Sequence, residues 1–265
     1  MTTVYSLGIL GGGRAAWAYG SAWRRIGWPI DGVWLRAESK SKLPELLAAP
    51  RKTLDALHAD LLLIAVSDRA IDEVAALISG GQAPSPVRTG EAPVLHKNPI
   101  IFHASGAKAS VRDGFSLHPL KALAPVGEPS DLDDALLVFE GNRRDVAESI
   151  ASNIGARFAI VSKDEKARYH AAAVFGSNYI AALLDIAQRN IGIENARDDL
   201  AALARSAIDN WRAHDDARRF TGPAARGDDE VIERHLLALA GDERAAEIYR
   251  LLADEIRRAI LAPLK

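Results

Sequence analysis

A chain of 265 residues allows one large domain or two modest ones, and 48% hydrophobic with 26% charged residues excludes wholesale disorder. Its 33 Lys and Arg against 35 Asp and Glu leave a net charge of -2, which offers a polyanion no long-range attraction, so no nucleic-acid partner is expected. The absence of cysteine excludes disulfides, thiolate nucleophiles and Cys-ligated zinc or iron–sulfur centres together.

In chain order, Val4 to Leu10 reads as a first strand, without the basic flank or cleavage site of an export signal. Ala15 to Ile26 has helical spacing and Gly27 ends it. Ile30 to Leu35 reads as a second strand and Leu43 to Ala48 as a short helix. Leu61 to Val66 is so uniformly apolar that both faces should be buried, as in a central parallel strand. Ser67 or Asp68 can cap the helix expected over Ala70 to Ile78. Gly80 to Pro93, rich in Gly, Pro and Ser, reads as a loop. Further strands are expected at Ile100–His103, Phe115–Leu117, Ala135–Phe139 and Phe158–Val161.

From Lys163 the texture changes to helical patterns over Asp164–Ile191, Ala196–His214, Asp229–Leu239 and Glu243–Leu261. The expected architecture is therefore α/β, a doubly wound parallel sheet over residues 1–163 followed by an all-α domain over 164–265. The longest apolar stretch, Ala171 to Leu184, is interrupted by Asn178 and falls short of the roughly 18 residues of a membrane span. It reads as a buried helix, so a cytoplasmic protein with no membrane partner is expected. Apolar on every side, that helix must be covered on every side, either by its own neighbours or by a second copy in a homodimer.

Residues 7 to 16, Leu-Gly-Ile-Leu-Gly-Gly-Gly-Arg-Ala-Ala, place Gly11, Gly13 and Ala16 in the spacing G-x-G-x-x-[GA] where a strand passes into a helix. This is the dinucleotide-binding pattern of a Rossmann domain. Gly11 permits the tight turn, Gly13 lets the backbone approach a pyrophosphate, and Ala16 lets the helix pack on the strand. The helix N-terminus offers free N–H groups and a positive dipole end to phosphates. Arg14 either helps neutralise that phosphate charge or is simply solvated.

At the end of the second strand, Arg36 stands where an acid would read the ribose hydroxyls in an NAD site. Either it makes a pocket for a 2′-phosphate with Ser39 and Lys40, which points to NADP, or it is an ordinary surface arginine. Glu38 reaching the ribose is the alternative and would favour NAD.

The chain resembles the bacterial Rossmann-like proteins whose C-terminal half is the domain of unknown function 2520. The likeness rests on the glycine loop, Ala59–Asp68, His103–Ala107, Ser116–Leu120, Tyr169–Asn178 and Thr221–Asp228. It implies a Rossmann domain joined to a helical domain, as in 6-phosphogluconate, pyrroline-5-carboxylate and prephenate dehydrogenase relatives, with a small substrate held between the domains and the helical half dimerising. Ala16 departs from the Gly of many relatives, a tolerated variant.

Candidate chemistry then falls on the loops after the strands. Ser67 lies beside the cofactor, and Ser105 either bonds a substrate carboxylate or carboxamide or caps a short helix beginning near Ala107. His118, before Pro119, resembles the His-Pro pair of prephenate dehydrogenases; imidazole suits the transfer of a hydroxyl proton near neutral pH. The alternative is a half-buried His bonded to backbone. His170 and Asn178, about 80° apart on a continuous helix, share one face. No Lys occupies that spot, unlike the catalytic lysine of related helical domains. Arg226 either meets an anionic substrate or braces its turn. The seven His show no metal-ligand spacing such as H-E-x-x-H, so no metal is expected.

The function that follows is an NADP-dependent oxidoreductase of a small polar metabolite. A cofactor-binding sensor or regulatory subunit without turnover is the alternative, and a scaffold with a degenerate glycine loop is a third.

Overall fold

Strand formation follows the apolar runs. In the computed structural model, which describes residues 3–78 and 99–261, β1 (Leu7–Leu10), β2 (Ile30–Trp34), β3 (Leu61–Ile64), β4 (Ile100–His103), β5 (Phe115–Pro119), β6 (Leu136–Gly141) and β7 (Arg157–Ile160) form one sheet. The loop expected at Gly80 to Pro93 lies outside the described residues. Strand order is β2-β1-β3-β4-β5-β6-β7. β3, four aliphatic residues buried on both faces, lies between β1 and β4, as a central parallel strand requires.

All expected strands form, but the sheet is not wholly parallel. β6 runs antiparallel to β5, with Leu117 opposite Phe139. A parallel pair needs a long crossover, usually helical, whereas the 120–135 connection contains no helix and simply returns the chain. β6 and β7 are parallel again because α4 (Arg144–Asn153) crosses between them. That helix has no start signal: Arg143 at its N-cap is left-handed (φ 63°) and no side chain caps it. Its buried face is only Val146, Ala147, Ile150 and Ala151.

The other helices of this part are α1 (Arg14–Arg25), α2 (Leu43–Leu46), α3 (Ile71–Ile78) and α5 (Lys166–Phe175). Ser67 stands at the N-cap of the short 3-10 turn leading into α3, yet its side chain makes no capping bond; its carbonyl accepts from Ala70 N at 2.8 Å instead. The main core packs α1 on the sheet through Tyr19, Trp23, Phe102 and Phe115. Each such side chain contributes roughly 1.5–3 kcal/mol by leaving water. Tyr19 also donates its buried hydroxyl to Leu117 O at 2.6 Å, so its polar end is satisfied.

Two compact units divide the chain, Met1–Val174 and Phe175–Lys265. The cut falls beyond the change of texture at residue 163, because Lys166 and Tyr169 of α5 bond to side chains of β5. The second unit contains α6 (Asn178–Asn190), α7 (Arg197–Ala213), α8 (Pro223–Arg226), α9 (Asp229–Ala238) and α10 (Glu243–Leu261). Its small core joins Ala224, Ile232 and Ala253. Asp228 caps α9 by accepting from Val231 N at 3.3 Å, as expected from its position.

Two expectations for this region fail. The helix expected over Asp164–Ile191 breaks at Gly176–Ser177, where Ser177 leaves helical geometry (φ -136°, ψ -81°). Nor is the apolar stretch buried: α6 has no buried residue, and Phe175, Tyr179 and Leu183 are all exposed. By length and composition alone, an 18-residue window within Lys166–Asn190 is apolar enough to cross a membrane, with a mean hydropathy of 1.2.

Candidate functional site

The strand order reverses at β1, whose neighbours β2 and β3 are reached in opposite directions along the sheet. A crevice opens at such a switch point, beyond the carboxyl ends of the strands. Here it is a cavity of about 460 Å³ lined by Gly11–Arg14 on one side, Trp34–Arg36, Glu38 and Ser39 on a second, and Ala65–Ser67 on a third.

Gly11 has φ +120°, and a Cβ there would stand 2.3 Å from the Ala65 carbonyl oxygen, so the turn into α1 requires glycine. Ser41 Oγ donates to Gly12 O at 2.8 Å and fixes the loop from the β2 side. Gly13 differs: a Cβ there would meet no atom within 4 Å, so its hydrogen faces open space. No side chain caps α1, which leaves its first N–H groups for a ligand. Ala16 is fully buried against the sheet, as its small size predicts. Open approach at Gly13, a free helix N-terminus and two arginines on the wall fit a dinucleotide diphosphate.

Arg14 reaches Leu123 O at 3.4 Å, a long bond on an exposed side chain. Arg36 is half-exposed and pairs with Glu73 of α3 at 3.2 Å. Ser39 and Ser67 line the same cavity, whereas Lys40 is exposed outside its lining. Thus Gly11, Gly13, Arg14, Arg36, Ser39 and Ser67 come together around one cavity.

A second polar cluster lies at the ends of β4 and β5. His118 of β5 bonds through Nδ1 to the Tyr169 hydroxyl at 2.6 Å, and its ring stands edge-on to that of His170, with centroids 5.6 Å apart. Gly106 fits against both imidazoles: a Cβ there would stand 2.3 Å from His170 Nδ1 and 3.0 Å from His118 Nε2. His170 Nδ1 is buried and has no hydrogen-bond partner among the described residues. Ser105 Oγ accepts from Ala107 N at 3.2 Å and Lys108 N at 3.0 Å, although no helix follows. Its hydroxyl proton remains available to donate.

Burial, with His170 and Lys166 nearby, pushes the His118 imidazole down to about 4. The expectation of a proton carrier titrating near neutrality is therefore corrected: His118 stays neutral at pH 7, because a half-buried ring cannot keep a second proton beside another cation. Its bond to Tyr169 also replaces the backbone bond of the alternative reading. Burial raises the Tyr169 phenol to about 12, so both partners are uncharged. Farther in, His103 is held below its usual value by burial and bonds to Ala109 O at 2.9 Å.

Sequence reasoning missed Lys166. Only 1% exposed, it donates from Nζ to Ser116 Oγ at 2.5 Å, and Ser116 Oγ donates to Ser105 O at 3.0 Å. Burial lowers the amine to about 8, against the opposing pull of Glu140 and Asp68. The available signal was spacing: Lys166, Tyr169 and His170 stand at i, i+3 and i+4 and so share a face of α5.

Asn178 and Arg226 belong to the second unit. Asn178 opens α6, exposed, and its Oδ1 accepts from Ser177 Oγ at 3.0 Å. The break at Gly176–Ser177 separates it from His170, so the shared face of a continuous helix does not exist. Arg226 is exposed at the end of α8. Among the described residues no His, Asp and Glu cluster suits a metal ion.

Residues 136–256 match the family model described as "Domain of unknown function (DUF2520)". None of the curated proteins matches the chain in sequence. Solved structures do. A Bacteroides fragilis protein described as a "putative NADP oxidoreductase" is 20% identical, with a TM-score of 0.79 over 96% of this chain and 98% of that one. Prephenate dehydrogenase from A. aeolicus, in complex with hydroxyphenyl propionate and NAD+, is 15% identical, with a TM-score of 0.53 over 98% and 99% of the two chains. Reductive aminase from Aspergillus terreus, in complex with NADPH and ethyl-5-oxohexanoate, is 17% identical, with a TM-score of 0.59 over 98% and 94%. Likeness at these identities shows the fold: a Rossmann-type sheet followed by a helical region.

Proposed function

We propose that this chain, a Rossmann-fold protein whose residues 136–256 match the DUF2520 domain, is an NADP-dependent oxidoreductase of a small polar metabolite. The observation that carries the proposal is the single cavity running from the open face of Gly13 to the guanidinium of Arg36. Gly11, Gly13 and Arg14 hold the diphosphate end, with Ala16 packing α1 on the sheet behind them, and Arg36 with Ser39 receives the 2′-phosphate. Ser67 lines the wall beyond β3. Structural neighbours described with NADP or NADPH support the choice of cofactor.

When bound, the nicotinamide supplies or accepts a hydride. The chain's own groups manage the metabolite and its proton. His118, kept neutral and bonded to Tyr169, orients the reacting oxygen or nitrogen by hydrogen bonding. His170, with an unpartnered ring nitrogen beside Gly106, takes or returns the proton. Ser105 offers its free hydroxyl proton. Two copies pair through the exposed apolar residues of the helical unit, and the protein works in the cytoplasm.

Titration with NADPH and NADH, followed by nicotinamide fluorescence and calorimetry, tests the reading. NADPH should bind at least about tenfold more tightly than NADH, as one lost phosphate–guanidinium interaction implies. Binding of neither would leave a scaffold with a degenerate loop. One observation favours a sensor without turnover: His118 is held neutral and Lys166 turns into the sheet. That alternative predicts tight NADPH binding with no reaction on any ketone, imine or hydroxy acid.

A further inference from the structure

Arg36 is not a free cation waiting for a ligand. Its Nη2 pairs with Glu73 Oε2 at 3.2 Å, and the side chains are 46% and 49% exposed. The two residues come from opposite sides of the cavity. Arg36 follows β2, while Glu73 lies on the first turn of α3, one turn beyond Ala70 of the cavity wall. Arg51 donates to the Arg36 carbonyl at 3.1 Å, which fixes the backbone from which the guanidinium swings. The side chain alone must therefore choose between partners.

We propose that Glu73 is a specificity-determining residue: its carboxylate occupies the guanidinium that a ligand's 2′-phosphate would take, and lowers the preference for a 2′-phosphorylated adenosine. This rests on the cofactor reading given above. A guanidinium can form a bidentate pair with one oxyanion group, and a phosphate is the stronger partner because it carries more charge. A phosphate arriving at Arg36 displaces Glu73, and the displaced carboxylate stays nearby as a like charge. Both effects tax the 2′-phosphate, and neither touches an adenosine with a free 2′-hydroxyl. An exposed ion pair contributes about 0.2–1 kcal/mol, which sets the size of the effect at up to about fivefold.

The experiment uses the full chain and two non-redox probes, adenosine 2′,5′-bisphosphate and 5′-AMP, together with NADPH, each measured by calorimetry. Glu73→Gln keeps the size of the side chain and removes its charge. It should tighten the bisphosphate and NADPH about threefold to fivefold and change 5′-AMP by less than about twofold. In an Arg36→Met background the same substitution should have a smaller effect, since only the like-charge repulsion is left to remove. Weaker bisphosphate binding by Glu73→Gln would show that the carboxylate orients Arg36, and would overturn the proposal. So would equal tightening of both probes, or an effect undiminished by the loss of Arg36. If the unsubstituted protein binds neither NADPH nor NADH, the cofactor reading itself falls, an outcome separate from any of these.

Discussion

Lys166 Nζ lies 2.5 Å from Ser116 Oγ, and the same hydroxyl reaches the carbonyl of Ser105 at 3.0 Å. A buried ammonium on α5 thus braces, through one serine of β5, the loop that carries Ser105 and Gly106. Glu140, also buried, is engaged by Ser110 through N at 2.6 Å and Oγ at 3.1 Å, and supplies opposing charge without a direct bond to the amine among the described residues. A lone buried cation is costly, and here the cost appears as a depressed amine.

That depression makes stability depend on alkaline pH. Lys166 falls from 10.5 to about 8 on folding, so between these values the unfolded chain holds a proton that the folded chain has lost. Stability therefore rises with pH across this window, by about 3 kcal/mol, and is unaffected by this group above it. Lys166→Met should lack the rise. Urea unfolding of both proteins at pH 7.5, 9 and 10.5 checks this: the difference between them should shift towards the unsubstituted protein as pH climbs. A constant difference would mean that the amine is solvated in the folded state.

Acid acts through His118. Its folded value of about 4 lies below the ordinary 6.5, so the unfolded chain takes up the proton first as pH falls. Stability contributed by the neutral ring is complete above pH 6.5 and declines towards pH 4, by about 3 kcal/mol at most. His103 is depressed in the same direction, so the unsubstituted protein should lose more than His118 alone accounts for. His118→Asn isolates the His118 share. By NMR, one imidazole should stay neutral to about pH 4 in the native protein and be missing from the variant spectrum.

The strands were legible because parallel strands covered on both faces must be continuously apolar, and Leu61–Ile64 could be little else. The glycine loop was legible because the constraint at Gly11 is local, a backbone angle that excludes other residues. Lys166 was not. Lysine is ordinarily solvated, and only the approach of α5 to β5 reveals that its amine meets Ser116. The reversed strand β6 was hidden for a similar reason, since strand direction depends on the connection and not on the run of apolar residues. The neutrality of His118 likewise comes from burial and from His170, which stands 52 positions further along the numbering.

Gly106 has no room for a side chain. A methyl group there would overlap His170 Nδ1 at 2.3 Å and crowd His118 Nε2 at 3.0 Å. Gly106→Ala should therefore displace the His170 ring and cost about 1–3 kcal/mol of stability, the usual range for overpacking. Imidazole NMR signals of both histidines should move, while NADPH affinity stays within about twofold because the glycine loop is untouched. Unmoved His170 signals would show that the ring has slack at this contact.

Phe175 at the end of α5 and Tyr179 and Leu183 of α6 are exposed to solvent, with Phe175 and Tyr179 in edge contact at 5.1 Å. An exposed apolar patch of this kind is characteristic of an interaction surface. If a second copy covers it, Leu183→Glu should shift the protein from dimer to monomer in sedimentation velocity at micromolar concentration. Secondary structure by circular dichroism should remain, since Leu183 is not a core residue of its own chain. A dimer unaffected by this charge would assign pairing to another face.

Gly11 and Gly13 should separate stability from binding. Gly11 holds φ +120° with the Ala65 carbonyl 2.3 Å from any Cβ, so Gly11→Ala strains the backbone and forces β1 and β3 apart at their ends. It should lower stability by about 2 kcal/mol or more and weaken NADPH binding as a consequence. Gly13→Ala meets no protein atom within 4 Å, and Gly13 keeps an extended conformation (φ -92°, ψ -170°) open to alanine. Its stability should match the unsubstituted protein within about 0.5 kcal/mol, yet the added methyl stands in the space that a diphosphate needs above α1. NADPH affinity should then fall by at least about tenfold in calorimetry, the equivalent of one lost backbone–phosphate contact. A folded Gly13→Ala protein that binds NADPH normally would place the diphosphate elsewhere and remove the glycine loop from the cofactor site.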